Sequence, residues 1–167
     1  MFAKRDGEVQ LANDPAAMQG DGQVVFIGRI RSPWTSRETC PKNMARAREQ
    51  GGGGSVEIAP AYREGLAGLE HTSHVVLLSW LHHAPRNLIV QKPRHAVVAK
   101  GTFALRSPAR PNPVGLHIAR LVGLDVAAGI LTLDAIDVLD GTPLIDVKPY
   151  FASTDSIPDA THGAPAA

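Results

Sequence analysis

Leu116-His-Ile-Ala-Arg-Leu-Val-Gly-Leu124, then Asp125-Val-Ala-Ala-Gly129, then Ile130-Leu-Thr-Leu-Asp-Ala-Ile-Asp-Val138, is the stretch whose reading decides the fold. In the first piece Leu116, Ile118, Val122 and Leu124 recur at every second position, with Arg120 interrupting that face. A period of two belongs to a strand, because successive side chains leave a strand on opposite faces. The third piece reads as the next strand. Asp125 to Gly129 between them is short and ends in glycine, so it reads as a hairpin connection.

Other strand-like runs lie on either side. Gln23 to Arg31 is β-branched and ends at Ser32-Pro33. Ser55 to Ala59 is short and follows four glycines. Ser73 to Leu81 is a nine-residue apolar run, too short for a typical globular helix and valine-rich enough for a strand buried on both faces. Ala96 to Ala104 looks similar, and Leu144 to Val147 is a short last strand before Lys148-Pro149. Helical patterns are scarce. Asn43 to Gln50 is the best, with Pro41 ahead of it and Gly51 behind it, and a single turn is expected at Tyr62 to Leu66. Many short strands with glycine and proline punctuation predict a mostly all-β protein, a barrel or sandwich, with one or two short helices.

A length of 167 residues suits one domain with a core of its own. Residues 1–22 read as a flexible N-terminal arm, 23–151 as the folded body, and 152–167 as a flexible, small-residue tail. The net charge of +1 does not announce a nucleic-acid binder, so any RNA contact must come from a local basic patch. Arg86, Lys92, Arg94, His95 and Lys100 form one such stretch around Pro93, which reads equally well as a solvated loop. The lone cysteine, Cys40, fits a reducing compartment. No run approaches the length of a membrane span, and the first residues lack a signal-peptide apolar region, so a cytoplasmic location is expected.

Four segments could carry chemistry. Gly101-Thr-Phe-Ala-Leu-Arg-Ser-Pro-Ala-Arg-Pro-Asn-Pro-Val-Gly-Leu116 holds prolines at 108, 111 and 113, which forbid a regular helix or central strand and stiffen the loop. Arg106 and Arg110 on it could hold a carboxylate or phosphate, or simply bond carbonyls of the loop. Asp134, Asp137 and Asp140 fall at a strand end and the turn after it. They could attract a cation, bond a ribose or adenine, accept a proton, or cap the turn. His82 and His83 are adjacent, so from within a strand they would face opposite ways and not share a metal. Trp34 could stack on a base or anchor a loop. Gly51 to Gly54 lacks the residues of a phosphate cradle and reads as a flexible loop.

Ile27-Gly-Arg-Ile-Arg-Ser-Pro33, Ala59-Pro-Ala-Tyr62, Gly65-Leu-Ala-Gly-Leu-Glu70 with Ser73-His74, Gly101-x-Phe103-Ala-x-Arg106-Ser with Arg110-Pro-Asn-Pro-Val-Gly115, and Leu139-Asp-Gly-Thr-Pro143 with Asp146-Val-Lys-Pro-Tyr150 follow one another in an order that resembles the TrmO/TsaA-like tRNA methyltransferases. The resemblance spans about residues 23–151. It implies a single-sheeted β-barrel, a homodimer, and S-adenosyl-L-methionine held near the subunit interface with no metal. It further implies methylation of the exocyclic nitrogen of threonylcarbamoyl-adenosine next to the anticodon of threonine tRNA. By motif position the cofactor would meet Asn43, Met44, Ala45, His82, His83, Arg106, Leu116, Asp134, Ala135, Ile136 and Asp137. Thr142 and Asp140 join them from the adjoining turn. The catalytic expectation is Asp137 or Asp140 for the proton and Arg110 for orienting RNA. Two features depart from the family pattern. The chain runs only a short way past Tyr150, where longer members carry a further domain, and the loop after Pro33 reads Thr39-Cys-Pro-Lys-Asn43.

Overall fold

The computed structural model describes residues 4–93 and 96–161, so Arg94 and His95 of the expected basic stretch lie outside the described residues. Nine strands are present among the described residues: β1 (Val9–Gln10), β2 (Gly28–Arg31), β3 (Gly54–Ile58), β4 (His74–Trp80), β5 (Leu88–Gln91), β6 (Lys100–Gly101), β7 (Val114–Asp125), β8 (Ile130–Leu133) and β9 (Thr142–Pro149). Two short helices accompany them, α1 (Met44–Glu49) and α2 (Ala152–Asp155). The turn expected near Tyr62 is a 3₁₀ helix, Pro60–Leu66. Six strands close into one antiparallel ring in the order β2-β3-β8-β7-β4-β9, and β1, β5 and β6 form a small sheet beside it. The expected barrel is therefore the one observed. Val9–Gln10, within the segment read as an arm, pairs with β5.

Alternation fills the ring. Ile30, Val56, Leu77, Leu131, Ile136 and Leu144 are fully buried and meet along its axis. Each such side chain contributes about 1.5–3 kcal/mol of burial relative to exposure. Several expectations change in the structure. Val75, Leu77 and Ser79 of β4 are buried and the residues between them only half-buried, so this strand has one core face and not two. Ala96 to Ala104 is mostly irregular, with only Lys100–Gly101 paired. Val24, Val25 and Phe26 are exposed ahead of β2. β8 stops at Leu133, because Asp134 to Val138 leaves the ladder and folds across the barrel end.

The largest correction falls on β7. Gly115, His117 and Ala119 point inward, whereas Val114, Leu116, Ile118 and Val122 are exposed. Leu124 does not share their face. Leu121 pairs with Leu133 and Gly123 with Thr132, so an extra residue bulges there and Leu124 turns back toward the core opposite Leu131. The four glycines are no loose loop either. A Cβ on Gly52 would collide with the Trp34 ring, and one on Gly54 would sit 2.6 Å from Ile136 Cγ2. These close approaches pack the first loop, α1 and the 134–138 segment into one corner.

Candidate functional site

One mouth of the barrel gathers the proline-rich loop, α1 and the segment after β8. The loop is held from below. Buried Gln91 donates to Thr102 Oγ1 at 2.7 Å and to the Ala109 carbonyl at 2.5 Å, and Thr102 Oγ1 donates to the Leu88 carbonyl at 2.9 Å. Arg86 donates to the Pro111 carbonyl at 2.6 Å and lies over the Trp80 ring. Arg110 folds back on its own loop, donating to the carbonyls of Ser107 at 2.8 Å and Leu105 at 2.5 Å. Arg106 is exposed and reaches the Leu116 carbonyl at 3.3 Å. Three prolines and these braces leave the loop little freedom.

The first half of β7 has an open edge. β8 pairs with it only from Leu121 onward. Arg120 N–H donates to Asp134 Oδ1 at 2.8 Å, and its carbonyl accepts Asp134 N–H at 3.1 Å, so Arg120 faces away from β4. By the two-residue repeat, Ile118 and Leu116 turn their backbone groups the same way. Two arginines end on that edge: Arg48 on the Ile118 carbonyl at 2.9 Å and Arg106 on that of Leu116. Arg48 also pairs with Asp134 at 2.8 Å, which ties α1 to the strand. Asn43 caps α1 by accepting from Arg46 N–H at 2.9 Å. Met44 is half-buried against the core, and Ala45 is exposed.

Asp137 follows Asp134 along the same edge. Its Oδ1 accepts from His117 Nδ1 at 2.7 Å, and Oδ2 takes no hydrogen bond among the described residues. Ala135 and Ile136 are buried, so only their backbones could meet a ligand. The Ile136 carbonyl accepts Trp34 Nε1 at 2.7 Å, which settles Trp34 as an anchor of this segment. Asp140 and Thr142 are taken up in the turn before β9. Asp140 Oδ1 accepts Ser32 N–H at 3.1 Å, Oδ2 lies 3.4 Å from Arg31, and the Thr142 hydroxyl donates to the Leu139 carbonyl at 2.7 Å. His82 and His83 stand past the end of β4 with ring centroids 3.8 Å apart and planes tilted by 43°, side by side and not opposed, because the chain has already turned there.

Charge and burial shape the mouth. Burial raises the Asp134 carboxyl, but Arg48 and the backbone N–H groups of Arg120 and Ala135 more than offset it, leaving it below the ordinary aspartate value. Desolvation, then the neighbouring His83, hold His82 below the usual histidine value. The Cys40 thiol is pushed up to about 11, first by burial and then by Asp137. Beside the loop, a cleft of about 250 Å³ is lined by Arg5, Glu8, Lys92 and Arg106. A broader opening of about 840 Å³, lined by Tyr62, Leu66 and Phe151, lies at the opposite mouth.

Arg106 and Asp137 thus contact consecutive residues of β7. The sequence reading missed Ser79, Arg48 and His117. Only His117 left a signal, as an inward position between Gly115 and Ala119 in a strand otherwise read from its apolar face.

A closed antiparallel barrel with a stiff arginine-bearing loop and an open backbone edge at one mouth makes this a small β-barrel protein. The chain belongs to the tRNA-methyltransferase O N-terminal domain family, whose model matches residues 29–156. A probable S-adenosyl-L-methionine-binding protein of Methanothermobacter thermautotrophicus is 40% identical over 131 residues, 78% of this chain and 91% of that protein. The tRNA (adenine(37)-N6)-methyltransferase of Escherichia coli K12 is 35% identical over 157 residues, 87% of this chain and 66% of its own length. The crystal structure of TrmO from Pseudomonas aeruginosa superposes with a TM-score of 0.70 at 35% identity, over 88% of this chain and 64% of that one.

Proposed function

We propose that this mouth binds S-adenosyl-L-methionine and that the protein methylates the exocyclic nitrogen of threonylcarbamoyl-adenosine beside the anticodon of threonine tRNA. The observation that carries the reading is the open edge of β7 at Leu116 and Ile118. A strand edge without a ladder partner presents N–H donors there, beside carbonyls that already accept from Arg106 and Arg48, and such donors suit the acceptor edge of an adenine. Around it stand the charges a zwitterionic sulfonium needs: Arg106 for a carboxylate, and Asp137 for positive charge.

When bound, the sulfonium supplies an electrophilic methyl group, and an in-line displacement asks the protein mainly for alignment. Arg106 and the Leu116 backbone orient the donor. Asp137 Oδ2 is the acceptor for the proton that the substrate nitrogen gives up. Arg110 braces the loop, and Asp140 and Thr142 hold the turn. Lys92 and Arg5 line the cleft beside Arg106 and suit an RNA phosphate.

The protein acts as a homodimer in this reading. Val114, Leu116, Ile118 and Val122 form an exposed apolar stripe, continued by Val76, Leu78 and Trp80 across the β4–β7 register. A second copy on that stripe would cover Leu116 and enclose the mouth. Calorimetry with S-adenosyl-L-methionine should give one site per chain, with affinity falling about tenfold or more in Arg106→Ala. Mass spectrometry of nucleosides should show methylated threonylcarbamoyl-adenosine in purified threonine tRNA after incubation. Tight cofactor binding without methylation of any tRNA would replace the enzyme with a ligand sensor.

A further inference from the structure

Ser79 and His117 lie inside the barrel below the site, and no role assigned so far uses them. Ser79 is fully buried and His117 is 5% exposed. On the β4–β7 register Ser79 stands opposite Gly115, and Leu77 stands opposite His117. The imidazole therefore leans diagonally across the missing side chain of Gly115. A Cβ there would collide with Ser79 Oγ and sit 2.6 Å from His117 Nε2. The glycine opens the passage through which His117 Nε2 reaches Ser79 Oγ at 2.8 Å, while Nδ1 reaches Asp137 Oδ1 at 2.7 Å.

Donor counting fixes the protons. An ionised carboxylate only accepts, so Nδ1 carries a hydrogen. If Nε2 carried one too, Ser79 Oγ would have to accept it, and the buried serine hydrogen would have no acceptor among the described residues. With Nε2 bare, Ser79 donates to it and every group in the chain is paired. A fully satisfied buried network is rigid, whereas a partly satisfied one is costly. The same order of groups activates a nucleophilic serine elsewhere. Here the serine hydroxyl is fully buried, and of the three groups the carboxylate is the most exposed.

We propose that His117 is the positioning residue for Asp137: a neutral imidazole, oriented by Ser79, pins Oδ1 so that Oδ2 faces the bound cofactor and the methyl acceptor. Asp137 needs such a hold because it lies outside any strand ladder and its own backbone takes no hydrogen bond among the described residues, the nearest ties being at Ile136 and Val138. The inference rests on the reading above that Asp137 belongs to the cofactor site.

Two substitutions separate the two ends of the ring. In His117→Asn the side-chain amide nitrogen stands where Nδ1 was and can still donate to Asp137. In His117→Gln the amide extends to where Nε2 was, keeps Ser79, and leaves Asp137 without its donor. Single-turnover methylation should be within a few-fold of the parent in His117→Asn and fall roughly tenfold to a hundredfold in His117→Gln, approaching Asp137→Asn. The KM for tRNA should hardly move, and the two His117 variants should not be ranked by melting temperature. Equal rates in the two His117 variants, with Asp137→Asn impaired, would overturn the positioning role alone. An unimpaired Asp137→Asn would remove the site reading, and this role with it. Nitrogen chemical shifts of the unaltered protein give a test that needs no variant. They should show a protonated Nδ1 and a bare Nε2 on His117, and the opposite tautomer rejects the arrangement.

Discussion

Cys40 reports on the environment of Asp137 without taking part in any chemistry proposed here. Its thiol, pushed up to about 11 by burial and by the Asp137 charge, stays protonated near neutrality. At pH 8 only about one part in a thousand of such a thiol is thiolate. Alkylation by iodoacetamide should therefore run roughly a hundredfold slower than for an unperturbed cysteine. Asp137→Asn removes the smaller of the two causes and should speed that reaction modestly, whereas loss of the whole 134–138 segment from the mouth should speed it strongly. The lone cysteine was readable in the sequence as unpaired. Its nearness to Asp137 was not, because the two residues meet only when the loop after β2 folds against the segment after β8.

At the scale of elements, α1 depends on what surrounds it. Six residues are too few to hold a helix in water on their own propensity. The Asn43 cap is worth about 1 kcal/mol, and Arg48 adds the bridge to Asp134 and Ile118. Arg48→Ala should loosen α1, measured as faster proteolysis near Met44. The Asp134 carboxyl is held below its ordinary value of 3.8 in the folded state. Its contribution to stability is therefore fully present above that value and disappears as pH falls through the lower folded one. Thermal denaturation across that acid range should show the loss, and Arg48→Ala should flatten it. The helix itself was legible from Pro41, Asn43 and Gly51. The inward face of β7 was not. Its apolar residues lie on the outer face, and the inner face at the mouth is Gly115, His117 and Ala119, because a six-stranded ring has room there only for small groups and one planar ring. Alternation located the strand but could not say which side was inside, and the bulge after Leu121 changed sides midway.

For the whole molecule, the exposed stripe on β7 sets the expected assembly. Val122→Lys should shift sedimentation from dimer to monomer while leaving the melting temperature of the barrel nearly in place, since Val122 is 54% exposed. An unchanged dimer would move the interface elsewhere. The barrel as a class was legible from short strands and turn residues, and the mouth from its prolines and arginines. The braces Gln91, Arg86 and Arg48 were not, because each joins residues far apart along the chain. Closure of the ring also has an uneven grain. β4 and β7 share seven register pairs, from His74↔Arg120 to Trp80↔Val114, whereas β2 meets β9 through only Gly28↔Leu144, Arg29↔Pro143 and Ile30↔Thr142. Pro143 brings no N–H to that junction. The bracelet thus has a clasp: in deuterated solvent its amides should trade their protons there first, long before those of the β4–β7 pair.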